Sequence, residues 1–203
     1  MEAFFPMLEL QTPRGPGRVH LHRAEVPRGA LVLGHGAGGG VGAPDLVAAT
    51  TAALAARVTV ALVEQPYRVA GRRSPAPAAQ LDEVWASVVA ELRAGELNDL
   101  RLLVGGRSSG ARVACRTASE TGAAGVLCLA FPLQPPGRAS APSRLPELEA
   151  VAVPVLVVQG ERDPFGVPPE SSTRAVVVVP GDHSLRASAR VEEAVGAWLA
   201  QLL

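Results

Sequence analysis

The sequence predicts an α/β fold in which a mostly parallel central sheet carries helices on both faces. Short, continuous apolar segments alternate along the chain with longer segments of helical spacing, a pattern typical of parallel strands covered on both sides. Several of the apolar segments end in Gly, Ser, Asp or His, as expected where a site forms beyond the carboxyl ends of parallel strands. We expect one domain that spans residues 1–203.

The first predicted element is a hairpin of two strands over residues 7–12 and 17–23, joined by a turn rich in Pro and Gly. In the second strand, apolar residues alternate with Arg18, His20 and His22. The two histidines could form a metal-binding pair, but alternating polar residues are typical of the solvated face of a strand. We therefore predict no metal site here.

Runs of Val, Leu and Ala predict the remaining strands, and apolar residues three or four positions apart predict the helices. The predicted strands cover residues 30–33, 59–63, 100–104, 125–130, 153–158 and 174–179. The predicted helices cover residues 43–57 and 78–94, a segment after residue 109, a short segment over 145–150, and the chain from residue 184. Two loops are predicted, a polar one over 65–75 and another over 132–142. The clearest apolar faces belong to the helices that contain Trp85 and Trp198.

The most informative motif lies between the strand over 100–104 and the helix that follows it. Residues 106–110, GRSSG, fit the pattern G-x-S-x-G, which marks a nucleophile elbow when a strand precedes it and a helix follows. A turn this sharp strains the backbone of its central residue, so the flanking positions must lack side chains. An ordinary Gly-Ser turn is the alternative. The strand–turn–helix context favours Ser108 as a nucleophile.

A serine hydroxyl becomes a nucleophile when a general base, normally His, accepts its proton and a carboxylate holds that His in the correct tautomer. His183 follows a late predicted strand and is the predicted base. Asp163 follows the strand before it and is the predicted acid. Glu161 lies close by, and Asp182 is adjacent to the base, where a turn-forming role is expected.

The glycine-rich segment GHGAGGG, residues 34–40, has two interpretations. In the first, backbone N–H groups of Ala37 and Ser109 form an oxyanion hole, and the glycines let the backbone close around an acyl oxygen. In the second, residues 34–39 fit the dinucleotide fingerprint G-x-G-x-x-G, with Glu64 at the end of a later strand. The first interpretation is favoured because it also accounts for the predicted nucleophile, acid and base.

The composition narrows the class of protein further. The 19 basic residues, all of them Arg, balance 19 acidic residues, so we expect neither nucleic acid nor a membrane as partner. Cys115 and Cys128 are too few for a disulfide framework and are predicted to be buried free thiols. Because no signal peptide or membrane-length apolar run is found, we expect a cytoplasmic protein. We expect it to be a monomer or a homodimer.

Six segments together resemble one known family: GHGAGG, EQPYRVAGRR, GGRSSGARVA, FPLQPPG, VPVLVVQGERDPFG and GDHSL. They are similar to small α/β-hydrolases related to dienelactone hydrolase, a family that includes the hydrolase-like subunit of a chromatin acetyltransferase complex. The resemblance implies an α/β-hydrolase fold without a lid domain, with Ser108, Asp163 and His183 as a catalytic triad. Dienelactone hydrolase has Cys at the elbow, so its substrate is not implied. Some relatives serve as binding subunits, so a non-catalytic binding module is the main alternative.

The resulting prediction is a serine hydrolase, specifically a carboxylic-ester hydrolase that acts on small acyl substrates without a cofactor. Residues 131–152 are too few to form a helical lid, and aromatic residues are scarce. We therefore expect a shallow site, edged by Tyr67, Phe131 and Phe165, that takes a small-molecule ester or related acyl substrate. Thioester, amide and acyl-transfer chemistry stay open at this point.

Overall fold

The computed structural model describes residues 7–137 and 140–203, and within them eight strands form one sheet. Numbered β1 to β8 along the chain, the strands are Met7–Thr12, Gly15–His22, Gly29–Gly34, Val58–Glu64, Leu102–Arg107, Val126–Leu129, Val155–Gly160 and Arg174–Val179. Their order across the sheet is β1-β2-β4-β3-β5-β6-β7-β8. β1 pairs antiparallel with β2 and β2 antiparallel with β4, whereas the other pairs are parallel. The predicted mostly parallel sheet is confirmed.

Helices cover both faces of this sheet. They are α1 to α6 in chain order: Pro44–Ala55, Pro66–Val69, Ala78–Ala94, Ser109–Thr117, Leu145–Glu149 and Ser188–Leu202. α3, α4 and α5 bury their apolar residues in one core, which includes Trp85. α1 and α6 form the other core on the opposite face, which includes Trp198. Nowhere in the described ranges is a helix long and apolar enough to span a bilayer.

Several elements begin or end at other residues than the sequence predicts, and three of these differences have a local cause. β2 already begins at Gly15, which has a φ of 105° and completes the hairpin turn. The predicted polar loop after β4 begins with the one-turn helix α2, where a proline at the first helical position supplies a suitable φ. α6 starts at Ser188 rather than at residue 184, because Asp182 Oδ1 accepts the N–H of Ser184 and holds the chain in a turn.

The parallel strands bring several polar segments to one edge of the sheet. β3 leads into the glycine-rich segment, β5 into Ser108, β7 into the turn with Asp163, and β8 into the turn with His183. The last residue of β7, Gly160, packs against the turn after β8 so closely that a Cβ there would lie 2.4 Å from the carbonyl oxygen of Asp182. The two turns are therefore packed backbone to backbone.

We expect Gly160→Ala to lower the free energy of unfolding by about 1–3 kcal/mol, because the added methyl group must push two backbone segments apart. Gly196→Ala is the control: this glycine lies within α6 with nothing within 4 Å of the added Cβ. The control is expected to gain about 0.5–1 kcal/mol from helix propensity. Urea unfolding of both variants measures the difference, and equal stabilities would contradict the close packing at Gly160.

Candidate active site

Ser108 occupies the strained turn expected from the motif. It connects β5 to α4 with a φ of 52° and a ψ of −107°, a left-handed conformation that non-glycine residues rarely adopt. A Cβ at either Gly106 or Gly110 would lie 2.4 Å from the carbonyl oxygen of Gly34 in β3. The two glycines of the motif therefore let the turn pack directly against the neighbouring strand.

His183 joins the predicted nucleophile to the predicted acid. Its Nε2 lies 3.0 Å from Ser108 Oγ, and its Nδ1 lies 2.8 Å from Asp163 Oδ2. The Asp163 side chain is fully buried, whereas 20% of the His183 side chain is exposed. Because an ionised carboxylate only accepts hydrogen bonds, Nδ1 donates to Asp163 and leaves Nε2 to accept the Ser108 hydroxyl proton. The three residues thus form one chain of hydrogen bonds.

The neighbouring acids lie in different surroundings. Asp182 is fully exposed, and hydrogen bonds from Ser184 lower the pKa of its carboxyl. Glu161 is exposed and pairs with Arg162 at 3.1 Å. Of these acids, only Asp163 is hydrogen-bonded to His183 in the described part of the chain. The turn-forming interpretation of Asp182 fits this arrangement.

Gln159 holds the Asp163 carboxylate in place, and sequence reasoning did not identify it. Its side chain is fully buried at the end of β7. Its Nε2 donates to Asp163 Oδ2 at 2.7 Å, to Phe131 O at 3.1 Å and to Gly166 O at 3.0 Å. Asp163 Oδ1 accepts the N–H of Phe165 at 2.9 Å. Both oxygens of the Asp163 carboxylate are therefore fixed. The sequence did not indicate this role, because a single glutamine within an apolar strand forms no recognisable motif.

The glycine-rich segment after β3 is held from the side by residues 65–67. The Tyr67 hydroxyl donates to the carbonyl oxygen of Ala37 at 2.8 Å. His35 Nε2 accepts the N–H of Gln65 at 3.1 Å, while its Nδ1 donates to Gly36 O at 2.8 Å. Burial lowers the pKa of His35, which suits a neutral ring with one donor and one acceptor. These contacts fix the backbone on both sides of Ala37.

The backbone N–H groups of Ala37 and Ser109 are the ones predicted to form the oxyanion hole. Ser109 is the first residue of α4, so its N–H has no acceptor within the helix. No acceptor for the Ala37 N–H is found among the residues that the structure describes. Both N–H groups are therefore free to receive an additional acceptor.

Two of the three aromatic residues expected to edge the site are buried. Phe131 is fully buried in the core with Leu148 and Val151. Tyr67 is only 4% exposed and contacts the glycine-rich segment instead. Phe165 does lie at the site, with its ring centroid 4.5 Å from that of His183.

A buried ion pair beside the triad was also not predicted. Arg107 Nε lies 3.0 Å from Asp45 Oδ2, in the geometry of an ion pair rather than of a straight hydrogen bond. Arg107 Nη2 donates to the carbonyl oxygen of His183 at 2.9 Å. Burial raises the pKa of Asp45 to about 6, although the charge of Arg107 acts in the opposite direction. The sequence did not predict this pair because an acidic residue in the first turn of a helix, such as Asp45 in α1, is already explained by its interaction with the helix dipole.

The remaining polar candidates have structural partners. His20 Nε2 lies 2.9 Å from Glu64 Oε2, and His20 and Glu64 belong to the neighbouring strands β2 and β4. A cluster of three or more His, Cys, Asp or Glu side chains able to hold a metal ion does not occur in the described ranges. Cys115 and Cys128 are buried free thiols, as predicted, with their sulfur atoms 3.5 Å apart.

Comparisons with known proteins agree with this geometry. A family model described as an alpha/beta hydrolase domain matches residues 27–202. An alpha-beta serine hydrolase homologue from Coxiella burnetii has a similar structure, with 18% identity, 98% of this chain and 97% of that chain covered, and a TM-score of 0.77. A serine hydrolase without a lid from Xanthomonas campestris has 18% identity, 98% and 96% coverage, and a TM-score of 0.74. Dienelactone hydrolase from Anabaena variabilis has 15% identity, 98% coverage of both chains, and a TM-score of 0.76.

No match was found among curated proteins. The structural likenesses show an α/β-hydrolase fold without a lid. The resemblance to lidless hydrolases related to dienelactone hydrolase is thereby confirmed, and the dinucleotide-binding alternative is set aside in favour of this fold. The link to a chromatin complex subunit stays a prediction.

We expect Gln159→Met to lower the free energy of unfolding by about 1–3 kcal/mol, because buried acceptors on three segments lose their donor. Gln201→Met makes the same chemical change at an exposed position of α6 and is expected to stay within about 0.5 kcal/mol of the parent. Denaturant unfolding compares the two. A Gln159→Met protein as stable as the control would show that the amide does not hold these segments.

Proposed function

We propose, from the premise that this chain belongs to the α/β-hydrolase domain family, that it is a serine hydrolase that cleaves carboxylic esters of small acyl groups. The observation that carries the proposal is the hydrogen-bonded chain from Ser108 through His183 to Asp163 at a strained turn. A serine held this way has an adjacent general base and an acid that orients the base.

In the first half of the proposed reaction, Ser108 Oγ attacks the acyl carbon while His183 Nε2 accepts the hydroxyl proton. The carbonyl π electrons move to the oxygen, and the N–H groups of Ala37 and Ser109 stabilise the resulting oxyanion. The tetrahedral intermediate collapses, the bond to the leaving oxygen breaks, and His183 gives its proton to that oxygen. An alcohol leaves, and an acyl group stays on Ser108.

In the second half, water takes the place of the alcohol. His183 accepts a proton from the water as it attacks the acyl carbon, and the second tetrahedral intermediate expels Ser108 Oγ, which recovers its proton from His183. Asp163 holds the imidazole in the productive tautomer and stabilises its charged form in both halves. Gln159 and the N–H of Phe165 support Asp163 by fixing both of its oxygens.

The limited cover over the site favours small acyl groups. Between β6 and β7, the described residues contain only the five-residue helix α5. The Xanthomonas campestris relative is likewise described as lacking a lid. Phe165 is the aromatic side chain next to His183, and an open site of this kind offers little apolar surface to a long chain.

Ser108→Ala is expected to reduce the hydrolysis of an activated ester by a factor on the order of 10⁴–10⁶, as for loss of a triad nucleophile elsewhere. A fluorophosphonate probe should label the parent at Ser108, with the modified residue located by peptide mass spectrometry. Ser119→Ala, at an exposed serine just after α4, is the control and should retain both rate and labelling. Unlabelled parent protein with a native fold would favour the binding module.

A series of p-nitrophenyl esters tests the expected acyl preference. We expect kcat/KM to be highest for acetyl and butyryl esters and to fall by about tenfold or more toward long chains, because no lid covers additional methylene groups. The rate should show no increase above the micellar concentration of the substrate. Efficiency that rises steadily with chain length would contradict the proposed open site.

A further inference from the structure

The buried ion pair between Arg107 and Asp45 has no role in the reaction described above. The Asp45 side chain is completely buried, and only 18% of the Arg107 side chain is exposed. Removing two charges from water is costly, and a buried ion pair often adds less to stability than apolar residues of the same volume would. Stability alone is therefore a weak reason for this pair to lie beside the triad.

Arg107 belongs to one of the segments that build the site and contacts two others. It is the last residue of β5, directly before Ser108. Its Nη2 donates to the carbonyl oxygen of His183 at 2.9 Å. Its Nη1 lies close to the segment after β3, since a Cβ added at Gly36 would be 2.8 Å from this nitrogen. The guanidinium of the residue that precedes Ser108 thus connects the His183 turn with the glycine-rich segment.

The backbone of His183 is placed by a turn rather than by a helix or strand. β8 ends at Val179 and α6 begins at Ser188. Leu185, within this turn, has a φ of 45°. A histidine on such a turn depends on contacts with neighbouring segments for its position, and Arg107 provides one of them directly to the His183 carbonyl.

We propose that Arg107 is a positioning residue for the general base: its guanidinium, anchored by Asp45, holds the His183 backbone so that the imidazole reaches both Ser108 and Asp163. This inference rests on the proposed function for its effect on catalysis. Its effect on the imidazole itself can be measured without any substrate.

The hydrogen bond from His183 Nδ1 to Asp163 Oδ2, 2.8 Å long, provides a measure of this role that needs no substrate. The Nδ1 proton is held in this bond only while the imidazole lies within reach of Asp163. If Arg107 holds the backbone carbonyl of His183 in place, replacing Arg107 should weaken the bond at the other end of the residue.

The experiment compares Arg107→Met, Arg107→Lys and Asp45→Asn with the parent protein. Arg112→Met is the matched control, since Arg112 in α4 forms a two-bond ion pair with Glu147 and is 26% exposed. kcat and KM are measured with p-nitrophenyl acetate at pH 8, where Asp45 is ionised because burial raises its pKa only to about 6. The Nδ1 proton of His183 is recorded by NMR in isotope-labelled protein and assigned by comparison with His183→Gln.

We expect kcat to fall on the order of 10²-fold in Arg107→Met, as when a catalytic group is displaced by about 1 Å, with KM within about twofold of the parent value. The NMR signal of the His183 Nδ1 proton should weaken or disappear in Arg107→Met and in Asp45→Asn, because the guanidinium or its anchor is lost. Arg107→Lys keeps the charge but cannot span both contacts, so it should restore neither the signal nor the rate. Arg112→Met should match the parent in both measurements.

A parental signal of the His183 Nδ1 proton in both Arg107→Met and Asp45→Asn would overturn the proposal. A Lys variant with parental kcat would also overturn it, because a single charge would then suffice. If Arg107→Met does not fold, Arg107→Lys and Asp45→Asn provide the same comparison. A parent protein that hydrolyses no ester would refute the proposed function, while the NMR signal of the His183 Nδ1 proton would still decide the role of Arg107.

Discussion

The site depends on backbone segments that approach each other with no side chains between them. The Gly34 carbonyl in β3 lies against both glycines that flank Ser108, and Gly160 at the end of β7 lies against the Asp182 carbonyl. The first contact sets the height of Ser108 above the sheet, and the second brings the turns of Asp163 and His183 together. Hydrogen bonds then complete an arrangement that the backbone has already brought within reach.

The polar side chains around the triad form a second level of organisation. Gln159 connects the carboxylate of Asp163 to the segments after β6 and β7. Tyr67 and His35 fix the backbone around Ala37. In both places a buried polar group satisfies the backbone and orients a site residue at the same time, which is how a precise geometry is maintained on loops.

The sequence predicted the features that depend on local pattern. The apolar periodicity located the sheet strands and the long helices, and the G-x-S-x-G motif located the strained Ser108 turn. It did not predict that Phe131 is buried or that Tyr67 contacts Ala37, because both depend on how the chain turns after a strand. Arg107 and Asp45 are 62 positions apart (107 − 45) and meet only through the fold. Partners that are distant in sequence leave no local pattern.

The segment between β6 and β7 has a consequence for how such a protein can diversify. Its first residues are joined to the Phe165 turn by the bond from Gln134 N–H to Phe165 O at 2.9 Å, and Arg144 N–H donates to Leu133 O at 2.8 Å. Phe165 in turn lies against the His183 ring. An insertion that broke these bonds would therefore change the surroundings of His183 as well as the cover over this edge of the sheet. The two are coupled through one segment.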